Sequence, residues 1–416
     1  MTRRRVAITG LGLVCSQGTS ARQAFEAWCA GQSGIGLHPV GEAPHSTTAV
    51  MAACTDFDAA PVLGRTRLTT MDRVSQLSAV AGLAAWQDAT LDELGDAARQ
   101  DVCVMWGTGS GGAHTTERSY RDLFVKGRSR ISPLSVVLGM NNAPAAHIAL
   151  LLRLGGACLT YSVACASSAM AIGEAFRRVQ TGQAVMAVAG GGEASMPYGL
   201  MKAWESLQVT ATPGAQPSAS CRPFDARRSG LALGEGAAAL VLEDLDHALQ
   251  RGARIYAELA GYGSSCDHTH LTAPDAAGQT RALLQALHDA QVTPADVHYV
   301  NAHGTATLEG DPVEIDALKA VLGPHAAQTM ISSTKSTHGH LLGAAGAIEA
   351  LATTLALHHD VAPPTAHLDE LDPACAGLDH VSGQARHQAG LRVALSNSFA
   401  FGGSNAVLVL KNVQRA

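Results

Sequence analysis

Two stretches of the chain repeat one alternation of apolar run and small-residue turn. Asp101-Val-Cys-Val-Met-Trp runs into Gly107-Thr-Gly-Ser-Gly-Gly, and Val297-His-Tyr-Val-Asn runs into Ala302-His-Gly-Thr-Ala-Thr. A short apolar run closed by Gly and Thr predicts a buried strand ending in a tight loop. The next units match as well. The β-type run Ala157–Cys165 leads into a helix of small residues at 166–176, and Thr329–Lys335 leads towards another at 341–351. Each copy closes on a glycine pair and a strand, Gly234-Glu-Gly-Ala-Ala-Ala-Leu-Val-Leu and Gly402-Gly-Ser-Asn-Ala-Val-Leu-Val-Leu. Strands alternating with helices predict α/β layers. The pairing predicts an internal duplication with its junction near Asp246–Arg254, giving an N-terminal half over residues 1–250 and a C-terminal half over 251–416. Val6-Ala-Ile-Thr-Gly predicts an opening strand. The helices at 166–176 and 341–351 carry few polar positions, the pattern of a helix buried on every side. They are expected as a central pair between sheets.

Composition agrees with so buried an interior. Only 15% of the 416 residues are charged and 4% aromatic, while 43 are Gly. Disorder, a coiled coil and a collagen-like repeat are excluded, so the core is to be filled by Ala, Gly, Val and Leu. A net charge of −6, without a long run of either sign, argues against nucleic acid as a partner. No run of about 18 apolar residues predicts a membrane span, and the apolar stretch at Val6 is too short for a secretory signal. Nine cysteines without a C-x-x-C pair suit a reducing cytoplasm rather than a disulfide or zinc framework.

Gly107–Gly112 fits G-x-G-x-x-G after a strand, yet the acidic residue expected about 20 positions later is missing, since that region reads Lys126-Gly-Arg-Ser-Arg-Ile. Gly10-Leu-Gly-Leu-Val-Cys15 lacks the third glycine. Both predict tight turns at strand ends rather than a nucleotide site. Cys165 stands between a β-type run and a small-residue helix, so its sulfur is expected at a helix N-terminus, where the dipole favours a thiolate. An inert cysteine filling a core gap is the alternative. His303 ends a buried strand, and His340 in Lys335-Ser-Thr-His-Gly-His340 precedes the second central helix. If the halves share one fold, Cys165, His303 and His340 converge where the two central helices begin. His338 is not expected to join them.

With these residues in place, the sequence resembles the β-ketoacyl-[acyl-carrier-protein] synthases, condensing enzymes of the thiolase group. The resemblance runs from Val6 to Gly403 and is carried by Ala164-Cys-Ala-Ser167, Cys221-Arg-Pro-Phe-Asp225, Gly234-Glu-Gly, Asn301-Ala-His-Gly-Thr305, Lys335-Ser-Thr-His-Gly-His340 and Asn397-Ser-Phe-Ala-Phe-Gly-Gly403. It implies a thiolase-like five-layer α-β-α-β-α fold, usually dimeric. It also implies Cys165 as the acyl-accepting nucleophile, with the backbone N–H groups of Cys165 and Phe401 as an oxyanion hole and Phe401 as a gate. His303 and His340 would hold the carbonyl oxygen of a malonyl thioester as carbon dioxide leaves. Lys335 would supply fixed positive charge with Glu349 as its partner, and Thr305 and Thr307 would meet a phosphopantetheine arm. Ser110 would line the acyl pocket, where a bulky apolar residue is frequent. The implied activity is an acyltransferase that extends fatty-acid, polyketide or polyene chains by two carbons, with no metal and no cofactor of its own.

The His–His pair resembles elongating synthases, since the CoA-primed initiating enzymes carry Asn at the second position. No second cysteine suited to a thiolase lies near the C-terminus, for Cys375 sits in an unrelated polar stretch. Val163, Ala400 and Ser404 depart from the family's usual Thr or Ser, Gly and Thr. The carrier is expected to be a separate acyl carrier protein, because no Asp-Ser-Leu attachment motif occurs. Arg65, Arg67, Lys126, Arg128 and Arg130 are candidates for a basic rim that meets it. A homodimer, or a heterodimer with a chain-length-factor-like homologue, is implied. The alternative is a structural chain-length-determining subunit, whose mark would be a missing Cys or His; none is missing.

Overall fold

The computed structural model describes residues 3–194 and 196–413. Residues 1, 2, 195 and 414–416 of the two expected halves lie outside the described residues. The first half supplies strands β1 (Val6–Val14), β2 (Cys103–Gly107), β3 (Cys158–Tyr161), β4 (Met186–Glu193) and β5 (Gly236–Asp244). The second supplies β6 (Ala257–Cys266), β7 (Tyr299–Asn301), β8 (Met330–Ser332), β9 (Asp379–His380), β10 (Val393–Phe399) and β11 (Ser404–Lys411). One continuous ladder joins them in the order β9-β8-β7-β10-β11-β6-β1-β5-β4-β2-β3. Outward from its middle, each side begins with two antiparallel pairings followed by two parallel ones, and β9 adds a third parallel pairing on one side. The halves meet where β1 runs antiparallel to β6, Val6 opposite Leu259 and Ile8 opposite Ala257. On either side of the β1–β6 seam, the strands of residues 1–250 and those of 251–416 begin with the same order of pairings.

Helices complete the layers. Among them, α1 (Arg73–Asp88) lies on β1 and β5, and α3 (Ala276–Asp289) lies on β6 and β11. Between the two halves of the sheet run α2 (Ser167–Gln180) and α4 (Ala345–His359), each touching strands of both. Every residue of α4 from Ala345 to Leu357 is buried, whereas Glu174, Arg177 and Arg178 of α2 reach towards solvent at one end. Small residues make this stacking possible. A methyl on Gly346 would lie 2.6 Å from the Ala169 Cβ, so the two central helices touch almost backbone to backbone.

The glycines read as turn residues at 10 and 12 have another purpose: they sit inside β1. A methyl on Gly12 would come within 2.0 Å of the Ala81 carbonyl oxygen, and one on Gly263 within 2.2 Å of that of Ala282. Outer helices therefore lie directly on strand backbone, through Ala81 and Ala85 in one half and Ala282 and Ala286 in the other. Even the polar fastenings repeat. Asp72 and Asp275 cap the two helices, while Asp88 accepts from the Leu11 N–H at 2.9 Å and Asp289 from the Tyr262 N–H at 3.0 Å. No helix among the described residues is long and apolar enough to cross a membrane.

Patterning overran the strand ends near the expected site. β3 stops at Tyr161, and Ala164–Ala166 form a 3₁₀ turn into α2. β8 stops at Ser332, and Lys335–His338 form a helical turn of their own. Ser336 and Thr337 hydroxyls donate to the carbonyls of Ser333 and Thr334. Such local bonds compete with a strand ladder and turn the chain early.

Candidate active site

Cys165 occupies the turn before α2, on a backbone bent sharply at Ala164, whose φ is +48°. That conformation is costly for a residue with a side chain. It is held by Ser167, whose Oγ accepts from the Val163 N–H at 2.9 Å and donates to the Ala164 oxygen at 2.7 Å. The matched turn before α4 repeats the bend at Leu342, φ +47°, but carries Gly343 in the nucleophile's place. Against that glycine packs the backbone of Gly109.

His303 follows β7 in a loop fixed from below by Glu314. The carboxylate accepts from the His303 N–H at 2.9 Å, the Gly304 N–H at 2.8 Å and the Asn397 amide at 3.0 Å. His340 is tied to the other half of the molecule: its N–H donates to Ala232 and its oxygen accepts from Gly234. Its Nε2 stands 3.0 Å from the Cys165 sulfur, and the two imidazole rings lie edge to face with centroids 5.3 Å apart. One donor-type atom from each of Cys165, His303 and His340 falls within 4.8 Å of the others. The three expected residues therefore share one point.

Burial sets their charge states. Desolvation, reinforced by the Lys335 ammonium, holds His303 and His340 well below the usual imidazole range, so both rings are neutral. The Nδ1 atoms of both are buried without a protein partner. An orphaned N–H is rarer than an orphaned acceptor, which favours the proton on Nε2, facing the cavity. Burial also pushes the Cys165 thiol up to about 12, although Lys335 and the Phe401 N–H directed at the sulfur pull it down. The resting side chain is thus a thiol, not the thiolate expected from its helix terminus alone. Lys335 and Glu349 form an ion pair with both side chains fully buried, and burial lifts Glu349 to about 7 against the pull of the lysine.

A cavity of about 400 Å³ opens onto this point, lined by Cys165, His303, His340, Thr305, Thr307 and Phe401 among others. The Thr305 and Thr307 hydroxyls lie 3.0 Å apart on its wall. Ser110 is not among its lining residues. Its loop instead gives the N–H groups of Gly109 and Ser110 to Glu193, which also binds the Gly343 N–H at 3.0 Å. Ala400 needs no left-handed backbone, so its methyl fits the turn. Arg65, Arg67, Lys126, Arg128 and Arg130 are all exposed, none lines the cavity, and Lys126 and Arg128 both pair with Asp122.

His338 stays apart, as expected. Its ring bonds Gly339 at 2.8 Å and Thr334 at 2.9 Å and meets Trp28 edge-on. Burial lowers it to about 3. A histidine depressed in the folded state stabilises above its unfolded pKa near 6.5 and loses that contribution as pH falls towards 3. Replacing His338 with Gln is expected to reduce the pH slope of unfolding free energy by about 1.4 kcal/mol per unit between roughly pH 4 and 6. Urea titrations across that range measure it, and an unchanged slope would contradict a neutral folded His338.

Sequence reasoning passed over Glu193 and Ser167, which hold loops, and Glu314, which holds the His303 loop and also lines the cavity. Glu193 did carry a signal: a lone carboxylate closing the otherwise apolar, glycine-rich run of β4.

Comparison with known proteins decides the family. The signature described as "Beta-ketoacyl synthase, N-terminal domain" matches residues 3–248, and "Beta-ketoacyl synthase, C-terminal domain" matches 256–369. The chain belongs to the β-ketoacyl synthase family. It is 39% identical to 3-oxoacyl-[acyl-carrier-protein] synthase 2 of Synechocystis sp. over 416 residues, covering 100% of this chain and 99% of the relative. It is 40% identical to nodulation protein E of Rhizobium meliloti over 413 residues, covering 99% and 100%. A solved structure, the ishigamide ketosynthase/chain length factor, superposes with a TM-score of 0.89 at 33% identity, over 99% of this β-ketoacyl synthase and 100% of that chain. The five-layer thiolase-like architecture expected from the sequence is the architecture of this family member.

Proposed function

We propose that this β-ketoacyl synthase elongates carrier-bound acyl chains by decarboxylative condensation. The observation that carries the reading is the convergence of one thiol and two neutral imidazoles at the base of a single cavity. An acyl thioester enters, Cys165 sulfur bonds its carbonyl carbon, and the carrier's thiol departs with the cysteine's proton. Oxygen charge in the tetrahedral intermediate is met by the N–H groups of Cys165 and Phe401. A malonyl thioester follows. His303 and His340 donate from Nε2 to its carbonyl oxygen, so the C–C bond pair left behind by carbon dioxide is held as an enolate. That carbon attacks the acyl–Cys165 thioester and releases the sulfur, which regains a proton. The product is a 3-ketoacyl chain two carbons longer. These steps balance with the two carrier-bound substrates and one proton from solvent for the released sulfur, and call for no metal or other cofactor. Thr305 and Thr307 line the approach and suit the amides of a phosphopantetheine arm.

The carrier is read as a separate protein, and an acyl carrier protein is part of the name of the Synechocystis relative. A second copy of this chain is the proposed occupant of the edge of β3. Leu159 is exposed on that edge strand, and Tyr120, Phe124, Val136 and Val137 of the same half are exposed apolar residues as well. The intact thiol and imidazoles weigh against a purely chain-length-determining subunit. All nine cysteines are free, which suits the cytoplasm.

The test is incubation of the purified protein with malonyl-carrier and acyl-carrier, read by mass spectrometry of the carrier. The expected product is the 3-ketoacyl carrier. No product, either alone or with a co-purified homologue, would overturn the assignment.

A further inference from the structure

The four tryptophans of the chain differ sharply in setting. Trp28, Trp86 and Trp106 are at most 1% exposed. Trp204, on the helix Tyr198–Ser206, is half-buried and lines the cavity that leads to Cys165. Its indole stacks on the Phe401 ring, with centroids 6.1 Å apart and planes 20° from parallel. Phe401 is the residue whose N–H faces the Cys165 sulfur. Trp204 therefore grips the side chain of the residue whose main chain touches the nucleophile.

The flanks of Phe401 are held by main-chain bonds: the Gly403 N–H donates to the Ala400 oxygen at 3.0 Å and the Asp267 N–H to the Gly403 oxygen at 2.8 Å. Ala400 and Ser404 bond each other, and the Gly402 N–H donates to Leu271 at 2.7 Å. Gly402 and Gly403 both have positive φ, at 84° and 78°, and a methyl on Gly402 would meet nothing within 4 Å. Gly402, exposed and unopposed, gives the Phe401 peptide a neighbour able to rotate, whereas Gly403 is buried and a methyl on it would meet the Asp267 Cβ at 2.9 Å. An oxyanion donor works only when held at hydrogen-bond distance from the developing charge, and a misplacement of about 1 Å costs on the order of 100-fold.

We infer that Trp204 is a positioning residue for acyl transfer: by stacking on Phe401 it keeps that residue's N–H aimed at the reacting carbonyl. The inference rests on the proposed condensation at Cys165. It goes further by assigning a task to a side chain of the first half that touches neither the sulfur nor the imidazoles.

Two reactions of the same sulfur separate positioning from general damage. Alkylation by iodoacetamide needs the thiol but no oxyanion hole; acylation by an acyl-carrier thioester needs both. In Trp204→Ala, alkylation of Cys165 is expected to stay within about twofold of wild type. Acylation, followed by intact-protein mass, is expected to fall about 10- to 100-fold. Trp204→Phe, which keeps an aromatic face, should recover most of it. The other three indoles are buried, so acrylamide quenching of the wild type should report on Trp204 and change when Cys165 is acylated. A parallel fall in alkylation and acylation, or acylation within threefold of wild type in Trp204→Ala, overturns the inference. Wild-type acylation in the same assay is read separately: its absence speaks against the condensation itself, whereas the ratio between the variant's two reactions speaks only to Trp204.

Discussion

Cys165→Ala is expected to make no 3-ketoacyl product, a loss of at least about 10³-fold, while still releasing carbon dioxide from a malonyl thioester. The two partial reactions depend on different atoms. Acyl transfer needs a sulfur that bonds carbon; decarboxylation needs Nε2–H donors for an enolate oxygen, and those belong to His303 and His340. His340→Ala should show the converse: the protein still takes up an acyl group, but decarboxylation slows by about 10²–10³-fold, the usual cost of one lost oxyanion donor. Both variants can be followed with labelled malonyl-carrier for carbon dioxide and by intact mass for the acyl-enzyme. The buried thiol of the wild type, lifted to about 12, adds a pH signature. Its alkylation rate should keep rising with pH beyond the point where an ordinary cysteine levels off. Retained condensation in Cys165→Ala, or loss of both partial reactions in either variant, would refute this division of labour.

The second large effect concerns the Lys335–Glu349 pair. Lys335→Met leaves a carboxyl group fully buried without its cation, and breaking such a pair typically costs about 3–5 kcal/mol. The cost should depend on pH. Glu349 is raised above its unfolded value, so its ionisation lowers stability as pH climbs from about 4.5 to about 7, where the wild-type loss is complete. Lys335 is what keeps that folded value from going higher. Without it the loss continues above pH 7, and the gap between variant and wild type should widen between about pH 6 and 8.5. Chemical denaturation at both values measures the gap. Lys335→Met combined with Glu349→Leu should recover most of the stability, because an apolar pair of similar volume removes the stranded charge. A gap of equal size at both pH values would show that the carboxylate is not its origin.

Much of this site was legible in the chain. The strand-and-turn repeat located Cys165 and His303 because each ends a β-type run, and His340 because it directly precedes the second small-residue helix. Two central helices could be picked out because Ala, Gly and Ser leave them no polar face. Other features escaped for physical reasons. Gly10 and Gly12 look like turn residues, yet their cause is an outer helix far along the chain that presses on β1. The state of Cys165 is set by desolvation from residues scattered across both halves, which no local window contains. Trp204 and Phe401 are separated by almost half the sequence, and nothing in either neighbourhood announces that they stack. Ser110 was placed in an acyl pocket by family resemblance alone; its loop's main chain is bound to Glu193, and Ser110 does not line the cavity above Cys165.

Glu193 has one more implication. Its carboxylate joins Gly109 and Ser110 of the first half to Gly343 of the second, while His340 is tied by its main chain to Ala232 and Gly234. Both ties span long stretches of chain, the kind of contact that forms late as a protein folds. A newly made chain therefore exposes Cys165 as a plain thiol, with neither imidazole near it, until its two parts have docked. The imidazoles and the ties that hold them arrive only with completed assembly, so an immature molecule cannot carry an acyl group through to condensation.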